Sequence, residues 1–157
     1  MNQDEFIKCV ERSQESLRRF LASVCAGDVE LAEDIAQEAY IKAYLARGKI
    51  KDADNFRAWI TKIAYNTFLN IIRKKRINIP IEEIAYNESF GRLDDTFKYE
   101  SLYQALKSLG AKERTVLVLF YLEGYNTREI SDFLEIKEEA VRQILSRGRK
   151  RLKTLID

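Results

Sequence analysis

The sequence predicts an all-α protein of two small helical domains joined by an acidic linker, the second domain containing a helix-turn-helix. Three observations carry this. Apolar residues recur at helical spacing along most of the chain, no segment alternates apolar and polar residues between turns as a half-buried strand would, and a lone proline, Pro80, interrupts the pattern near the middle. At 157 residues, 46% hydrophobic and 33% charged, the chain has enough apolar side chains for real cores and too many to remain disordered.

A first helix is expected from about Asp4 to Val24, with Phe6, Val10, Leu17, Phe20, Leu21 and Val24 on its inner side, ending near Gly27. Asp28 suits the cap of a second, about Val29 to Ala46. Its core stripe is Leu31, Ile35, Ala39 and Ala43, and Gly48 is expected to stop it. A third helix follows Asp54 and Asn55 and reads FRAWITKIAYNTFLNIIRKKR. Phe56, Ile60, Ile63, Ala64 and Ile71 face inward, and four cations, Arg73 to Arg76, close it, where positive charge suits the helix dipole. These helices make a first domain at 1–76. Acidic and turn-forming residues then replace the helical stripe, which places a linker at 77–97 and a second domain at 98–157. Within the second domain Leu102, Leu106 and Leu109 mark a helix ending at Gly110, and VLVLFYLEG marks another ending at Gly124. Asn126 with Glu129 forms a capping-box pattern that opens a short helix through Leu134. A final helix, about Glu138 to Leu155, has Val141, Ile144, Leu145, Leu152 and Leu155 as its inner edge. Short helix, tight turn and longer basic helix form the helix-turn-helix.

Composition narrows the function. With no histidine, zinc sites of the usual ligand sets and Ser/His or Cys/His dyads are unavailable. The glycines form no phosphate-binding loop either. No catalytic residue, metal ligand or cofactor is therefore assigned, and an enzyme ranks last. Cys9 and Cys25 belong to no CxxC pair and are expected as reduced, partly buried thiols. No apolar run approaches the roughly 20 residues of a bilayer crossing, so a cytoplasmic protein without membrane insertion is expected. Charge is blocked along the chain: seven bases face two acids over residues 51–76, two face six over 77–100, and six face one over 142–157. Two cationic surfaces in a nearly neutral chain suit a polyanion held at two places, although solvated helix ends would produce the same pattern.

Three surfaces are candidates. The back of the second helix carries Asp34, Gln37, Glu38, Ile41 and Leu45, acids beside aliphatics, which fits docking onto a basic partner helix; scattered surface aliphatics would look alike. On the third helix Lys62, Tyr65, Asn66, Leu69, Arg73 and Arg76 share an outward face, with Trp59 at its margin and Asn70 between that face and the core. Rings there would stack unpaired bases, amides would read base edges and cations would hold phosphates. Alternatively, Trp59 and Tyr65 are boundary aromatics and the cations merely solubilise. The last helix presents Arg142, Gln143, Ser146, Arg147, Arg149 and Lys150, the types a recognition helix needs in a major groove; a basic terminal helix without DNA is the plainer reading.

Together these motifs resemble the bacterial sigma-70 family of RNA polymerase sigma factors, in its smallest, extracytoplasmic-function (ECF) class. DVELAEDIAQEAYIKAY is similar to the family's core-binding helix, and FRAWITKIAYNTFLNIIRKKR to the helix that melts and reads the minus-ten element. LKSLGAKERTVLVLFYLEGYNTREIS with VRQILSRGRKRLKTL is similar to the minus-thirty-five domain. The resemblance implies a promoter-specificity subunit, not itself an enzyme. It would bind core RNA polymerase, through the clamp helices of the largest subunit and the flap of the second largest, and promoter DNA both duplex and single-stranded. It also implies an anti-sigma factor as inhibitor. By the same resemblance Asp34, Gln37, Glu38 and Lys42 contact the clamp helices, and Asn66 and Asn70 read or support the minus-ten strand. The loop Lys51 to Asn55, with Asp54, captures a flipped base, Arg142, Gln143, Ser146 and Arg147 read bases upstream, and the acidic linker runs toward the RNA exit path.

The chain departs from the family at LEIKEEAVRQ. Glu135, Lys137, Glu138 and Glu139 stand where a Gly and a Pro in the turn and a small Gly-Thr pair are usual. Carboxylates there favour the helix dipole and repel DNA phosphates, so weak or unusual upstream binding is expected. Gly148, on the inner edge of the last helix, weakens it by about 1 kcal/mol relative to alanine unless close packing requires it. Two other readings remain open: a stand-alone helix-turn-helix regulator, which leaves the Trp59 to Arg76 face unexplained, and a sigma mimic that occupies an anti-sigma factor or polymerase without reading promoters.

Overall fold

The structure, a computed structural model, describes residues 1–78 and 94–156, with side chains described for 1–74 and 101–154. Among the described residues there are seven α-helices and no strand: α1 Gln3–Val24, α2 Val29–Leu45, α3 Phe56–Asn78, α4 Asp94–Lys107, α5 Ala111–Tyr121, α6 Thr127–Leu134 and α7 Glu138–Ile156. The all-α expectation holds. The described chain divides into two units, residues 1–21 with 28–78, and residues 22–27 with 94–156. Residues 77 and 78 continue α3, and 94–97 belong to α4; the rest of the expected acidic linker, 79–93, lies outside the described residues.

In the first unit, local capping fixes where helices begin. Asn2 Oδ1 accepts from the Glu5 amide at 2.9 Å and opens α1. Asp28 Oδ1 accepts from Leu31 N at 3.0 Å and opens α2, as its position suggests. The helix α2 ends at Leu45, close to the expected bound, and Gly48 is not what stops it. Ala46 caps it through its amide to the Lys42 carbonyl, and Gly48 falls inside the following 3-10 turn, Arg47–Lys49, with open space where a β-carbon would stand. All four residues of the α2 stripe, Leu31, Ile35, Ala39 and Ala43, are buried. Phe6 joins the helices: its ring meets Tyr44 of α2 at 5.4 Å and Phe56 of α3 at 5.6 Å, both edge-on. In α1, Phe6, Leu17, Phe20, Leu21 and Val24 are buried, while Val10 is half-buried. Cys9 and Cys25 are buried and form no disulfide.

The inner side of α3 is broader and differently centred than its apolar spacing suggests. It runs from Thr67 through Ile60, Ala64 and Phe68 to Thr61 and Tyr65, all buried, whereas Ile63 and Ile71 are only half-buried. Thr61 and Thr67 are tolerated there because each hydroxyl donates to a carbonyl one turn back, Arg57 at 2.7 Å and Ile63 at 2.9 Å.

In the second unit α7 packs against α4, α5 and α6. Gly110 caps α5 rather than merely ending α4, and Gly124 turns the chain after α5 at φ 74°. The Asn126/Glu129 capping box is complete: Asn126 Oδ1 accepts from Glu129 N at 2.8 Å, and Glu129 Oε1 accepts from Asn126 N at 3.0 Å. Glu135 closes α6 in the left-handed region, φ 58°, where glycine is usual. Arg114 sits partly buried at the α4–α5 corner, Nη1 donating to the Leu106 carbonyl at 3.2 Å; burial lowers its pKa from the ordinary guanidinium value. Val141 and Leu145 form the inner edge of α7, Ile144 and Leu152 are half-buried, and the side chain of Leu155 lies outside the described residues. Gly148 is where close packing is needed: a β-carbon there would lie 2.9 Å from Leu117 Cδ1.

Candidate nucleic-acid interface

The four buried positions of α2 leave its other side to solvent, and all six residues singled out on it, Asp34, Gln37, Glu38, Ile41, Lys42 and Leu45, are exposed. Ile41 is 62% exposed and Leu45 77%, values that set them apart from ordinary boundary aliphatics. Lys42 Nζ lies 3.6 Å from Glu38 Oε1 one turn back and also donates to Thr67 Oγ1 of α3 at 3.2 Å. Since the Thr67 hydroxyl gives its proton to the Ile63 carbonyl, it can only accept from Lys42. The lysine thus belongs both to the α2 surface and to the α2–α3 joint. Thr67 was not legible as a partner because a threonine inside an apolar helix reads as filler.

The loop before α3 is built on Asp52, a residue the sequence reading passed over. One carboxylate oxygen accepts from Asp54 N at 2.9 Å and the other from the Asn55 side-chain amide at 3.3 Å, shaping the 3-10 turn Ala53–Asn55. Lys51, Asp54 and Asn55 are exposed on it. On α3 itself Asn66, Asn70 and Arg73 are exposed, and Trp59 and Lys62 are half-buried. The spacing of 59, 62, 66, 70 and 73 makes these five a single strip up one side of the helix. Tyr65 corrects the sequence reading. Expected on the outward face, it is buried at 5% exposure, its ring 6.2 Å from that of Phe68 and capped by Lys62 Nζ at 5.8 Å. The reason is the rotation of the buried arc, which reaches Tyr65, while Trp59 stays half-buried with its ring 5.7 Å from that of Phe56. Tyr65 therefore supports Lys62 from below and presents no ring face to a base. Arg76 lies on α3, but its side chain is outside the described residues. The strip therefore combines a half-buried indole, two amides and two cations, a set that can stack a base, hydrogen-bond its edge and hold phosphate oxygens.

In the second unit Arg142, Gln143, Ser146, Arg147, Arg149 and Lys150 are all exposed on α7, opposite Val141 and Leu145. Arg149 Nη1 donates to the Tyr121 hydroxyl at 3.2 Å, and Arg151 pairs with Glu113 of α5 at 3.1 Å. Arg147 and Arg151 line a shallow cleft of about 320 Å³ with Lys112, Glu113, Gly110 and Ile144. Lys112, remote in sequence, had no signal linking it to this surface. Tyr121 and Leu122, exposed by 53% and 41%, add an apolar spot at the end of α5. Among the described residues no three His, Cys, Asp or Glu side chains converge as metal ligands, and no helix is long and apolar enough to cross a membrane.

Comparison with known proteins gives this arrangement a family. Residues 9–77 match the model of sigma-70 region 2, and residues 105–154 match that of sigma-70 region 4. The ECF RNA polymerase sigma factor SigM of Bacillus subtilis is 30% identical over 142 residues, covering 87% of this chain and 86% of SigM. SigW of the same organism, also an ECF RNA polymerase sigma factor, is 31% identical over 167 residues, covering 97% of this chain and 89% of SigW. In fold, the chain is similar to the sigma factor RpoE of Bartonella quintana, solved with its anti-sigma factor NepR, at a TM-score of 0.79 and 23% identity over 96% of each chain. With both helical units matched and full-length relatives at this identity, the chain belongs to the ECF class of the sigma-70 family of RNA polymerase sigma factors.

Proposed function

We propose that the chain is a promoter-specificity subunit: it binds core RNA polymerase, directs it to a promoter with minus-thirty-five and minus-ten elements, and helps open the strands at the latter. In this reading α2 docks on the clamp helices of the largest subunit through Asp34, Gln37, Glu38, Ile41, Lys42 and Leu45. The α3 strip, Trp59, Lys62, Asn66, Asn70 and Arg73, holds the separated minus-ten strand, with Arg76 beyond it. The Lys51–Asn55 turn receives a flipped base, and α7 reads the upstream duplex. Tyr121 and Leu122 are the apolar surface available to the flap of the second-largest subunit. An anti-sigma factor is the expected inhibitor, and the cytoplasm the place of work.

One observation supports this reading most: a single pair of packed helices turns an acidic, aliphatic face outward on α2 and an amide and cation face outward on α3. A duplex reader acting alone needs neither. Strand opening in this scheme is driven by binding, with the cost of extruding bases met by contacts that only the separated strand makes, and no nucleotide is hydrolysed.

The test is run-off transcription with purified core polymerase on genomic DNA fragments, repeated with Asn66→Ala. Discrete promoter-dependent transcripts, together with an Asn66→Ala chain that binds core normally but opens promoters poorly, are expected. Operator binding without core would favour the stand-alone regulator. Core binding with no promoter use would favour the mimic, and equal loss of core binding and opening would refute the role given to Asn66.

A further inference from the structure

The acids at the start of the recognition helix look like a defect beside DNA, yet one of them is already engaged. Glu138, in the first turn of α7, takes two hydrogen bonds on the same oxygen. Thr127 Oγ1, from the first turn of α6, donates to Glu138 Oε1 at 2.8 Å, and Arg142 Nη2 donates to it at 2.9 Å. The three residues come from both helices of the helix-turn-helix, so this contact joins them across the turn as well as along α7. An ordinary pair four residues apart on a helix leaves both side chains free to swing. Here the acceptor is pinned by a hydroxyl of a different helix and is 38% exposed, while the arginine it holds is 61% exposed and faces outward.

A guanine edge in the major groove is read by an arginine whose planar fork meets O6 and N7 together, and a fork already oriented loses less freedom on contact. Glu138 engages one nitrogen of Arg142 and leaves other N–H groups for a base. We propose that Glu138 is a positioning residue for sequence reading: held by Thr127, it fixes the Arg142 guanidinium and so sets which base pair of the upstream element that arginine accepts. The inference deepens the function proposed above and rests on its assignment of α7 to duplex DNA. The same carboxylate repels phosphates, so it trades general DNA affinity for discrimination.

The experiment uses holoenzyme assembled from the full chain and core polymerase, and selects bound DNA from a promoter pool randomised across the upstream element. It compares parent, Glu138→Ala, Glu138→Gln, Thr127→Val and Arg142→Ala. Glu138→Ala is expected to reduce preference at one base pair by at least about fivefold, at the same position that Arg142→Ala affects. Its affinity for non-promoter DNA should rise and its unfolding midpoint should stay close to the parent's. Glu138→Gln, which keeps the acceptor for both donors, should recover part of the preference, and Thr127→Val should lose part of it. A purely structural role would instead lower promoter affinity, non-promoter affinity and stability together, and that outcome overturns the proposal. So does an Arg142-dependent position that Glu138→Ala leaves within twofold of the parent. If Arg142→Ala itself changes no base preference, the reading of α7 as the upstream recognition helix has failed, and the two failures are thereby told apart.

Discussion

Replacing Ile41 and Leu45 together by serine isolates the proposed docking face of α2 from the fold that carries it. Full burial of an Ile or Leu side chain gives about 1.5–3 kcal/mol. Because 62% of Ile41 and 77% of Leu45 are still open to water, roughly 1–2 kcal/mol of that remains to be gained from each on docking. The pair therefore contributes at most about 2–4 kcal/mol, some 30- to 1000-fold in core affinity, and ten- to a hundredfold if the partner covers them partly. The assay is an equilibrium titration of fluorescently labelled chain with core polymerase, with chemical unfolding run beside it. The exposure that makes the serines costly in binding makes them harmless to stability, so the unfolding midpoint should not fall. Ile35→Ala, on the fully buried side of the same helix, should behave in the opposite sense and lose about 2–5 kcal/mol of stability. Less than a threefold loss of core affinity in the double serine variant would refute the reasoning, because two aliphatics left in water on both sides of binding contribute nothing.

Three further outcomes follow from local geometry. Gly148→Ala gains about 1 kcal/mol of helix propensity and loses about 1–3 kcal/mol by overpacking against Leu117, so it should be neutral to about 2 kcal/mol destabilising; in a Leu117→Ala background it should stabilise, as read from hydrogen exchange of α5 amides. Glu135→Gly relieves a left-handed backbone costing about 1–2 kcal/mol but adds chain entropy to the unfolded state, giving a net gain of about 0.5–1 kcal/mol in the same exchange measurement. Burial holds the Tyr40 phenol above its ordinary pKa, against the lowering influence of Arg18 and with a smaller push from Glu33. The fold therefore favours the neutral form, and stability present below about pH 10 is lost as pH rises through the raised value; Tyr40→Phe should flatten that alkaline arm of the urea midpoint.

How much of this was legible depended on whether a residue's role is set by its own helix or by what packs against it. The α2 stripe and the Asn126/Glu129 box are local matters of period and capping, and both read correctly. The third helix did not read as well. Its spacing shows that one side is apolar, but the width of the buried arc depends on what packs against it, and two threonines, Thr61 and Thr67, lie inside that arc with their hydroxyls bonded to their own helix. Tyr65 was misplaced for that reason, and Phe68 was missed. Gly148 shows the same limit with the opposite sign: a helix-weakening glycine in sequence becomes a packing requirement once Leu117 is seen behind it. Glu138 was read as a repulsive charge because its partner Thr127 lies across a turn.

Contacts between helices bear on how the proposed subunit would open DNA through binding. If strand separation is driven by contacts to the separated strand, the surface that makes them must be ordered beforehand; a surface that had to be ordered on binding would spend the same free energy on its own conformational entropy. The α3 strip meets that condition. Its helix packs on α2, with Ile35 and Ile60 fully buried, and a polar link joins the two where Lys42 donates to Thr67, which stands next to Asn66. Lys42 in turn lies among the residues assigned to the polymerase, half-exposed beside Glu38. If a partner draws Glu38 toward its own cations, Lys42 still has Thr67 as an acceptor within the chain, so docking on α2 need not loosen the α2–α3 joint. In the proposed scheme, docking on one helix and base capture on the other rest on the same joint, and the surface that must hold the opened strand is ordered before the strand arrives.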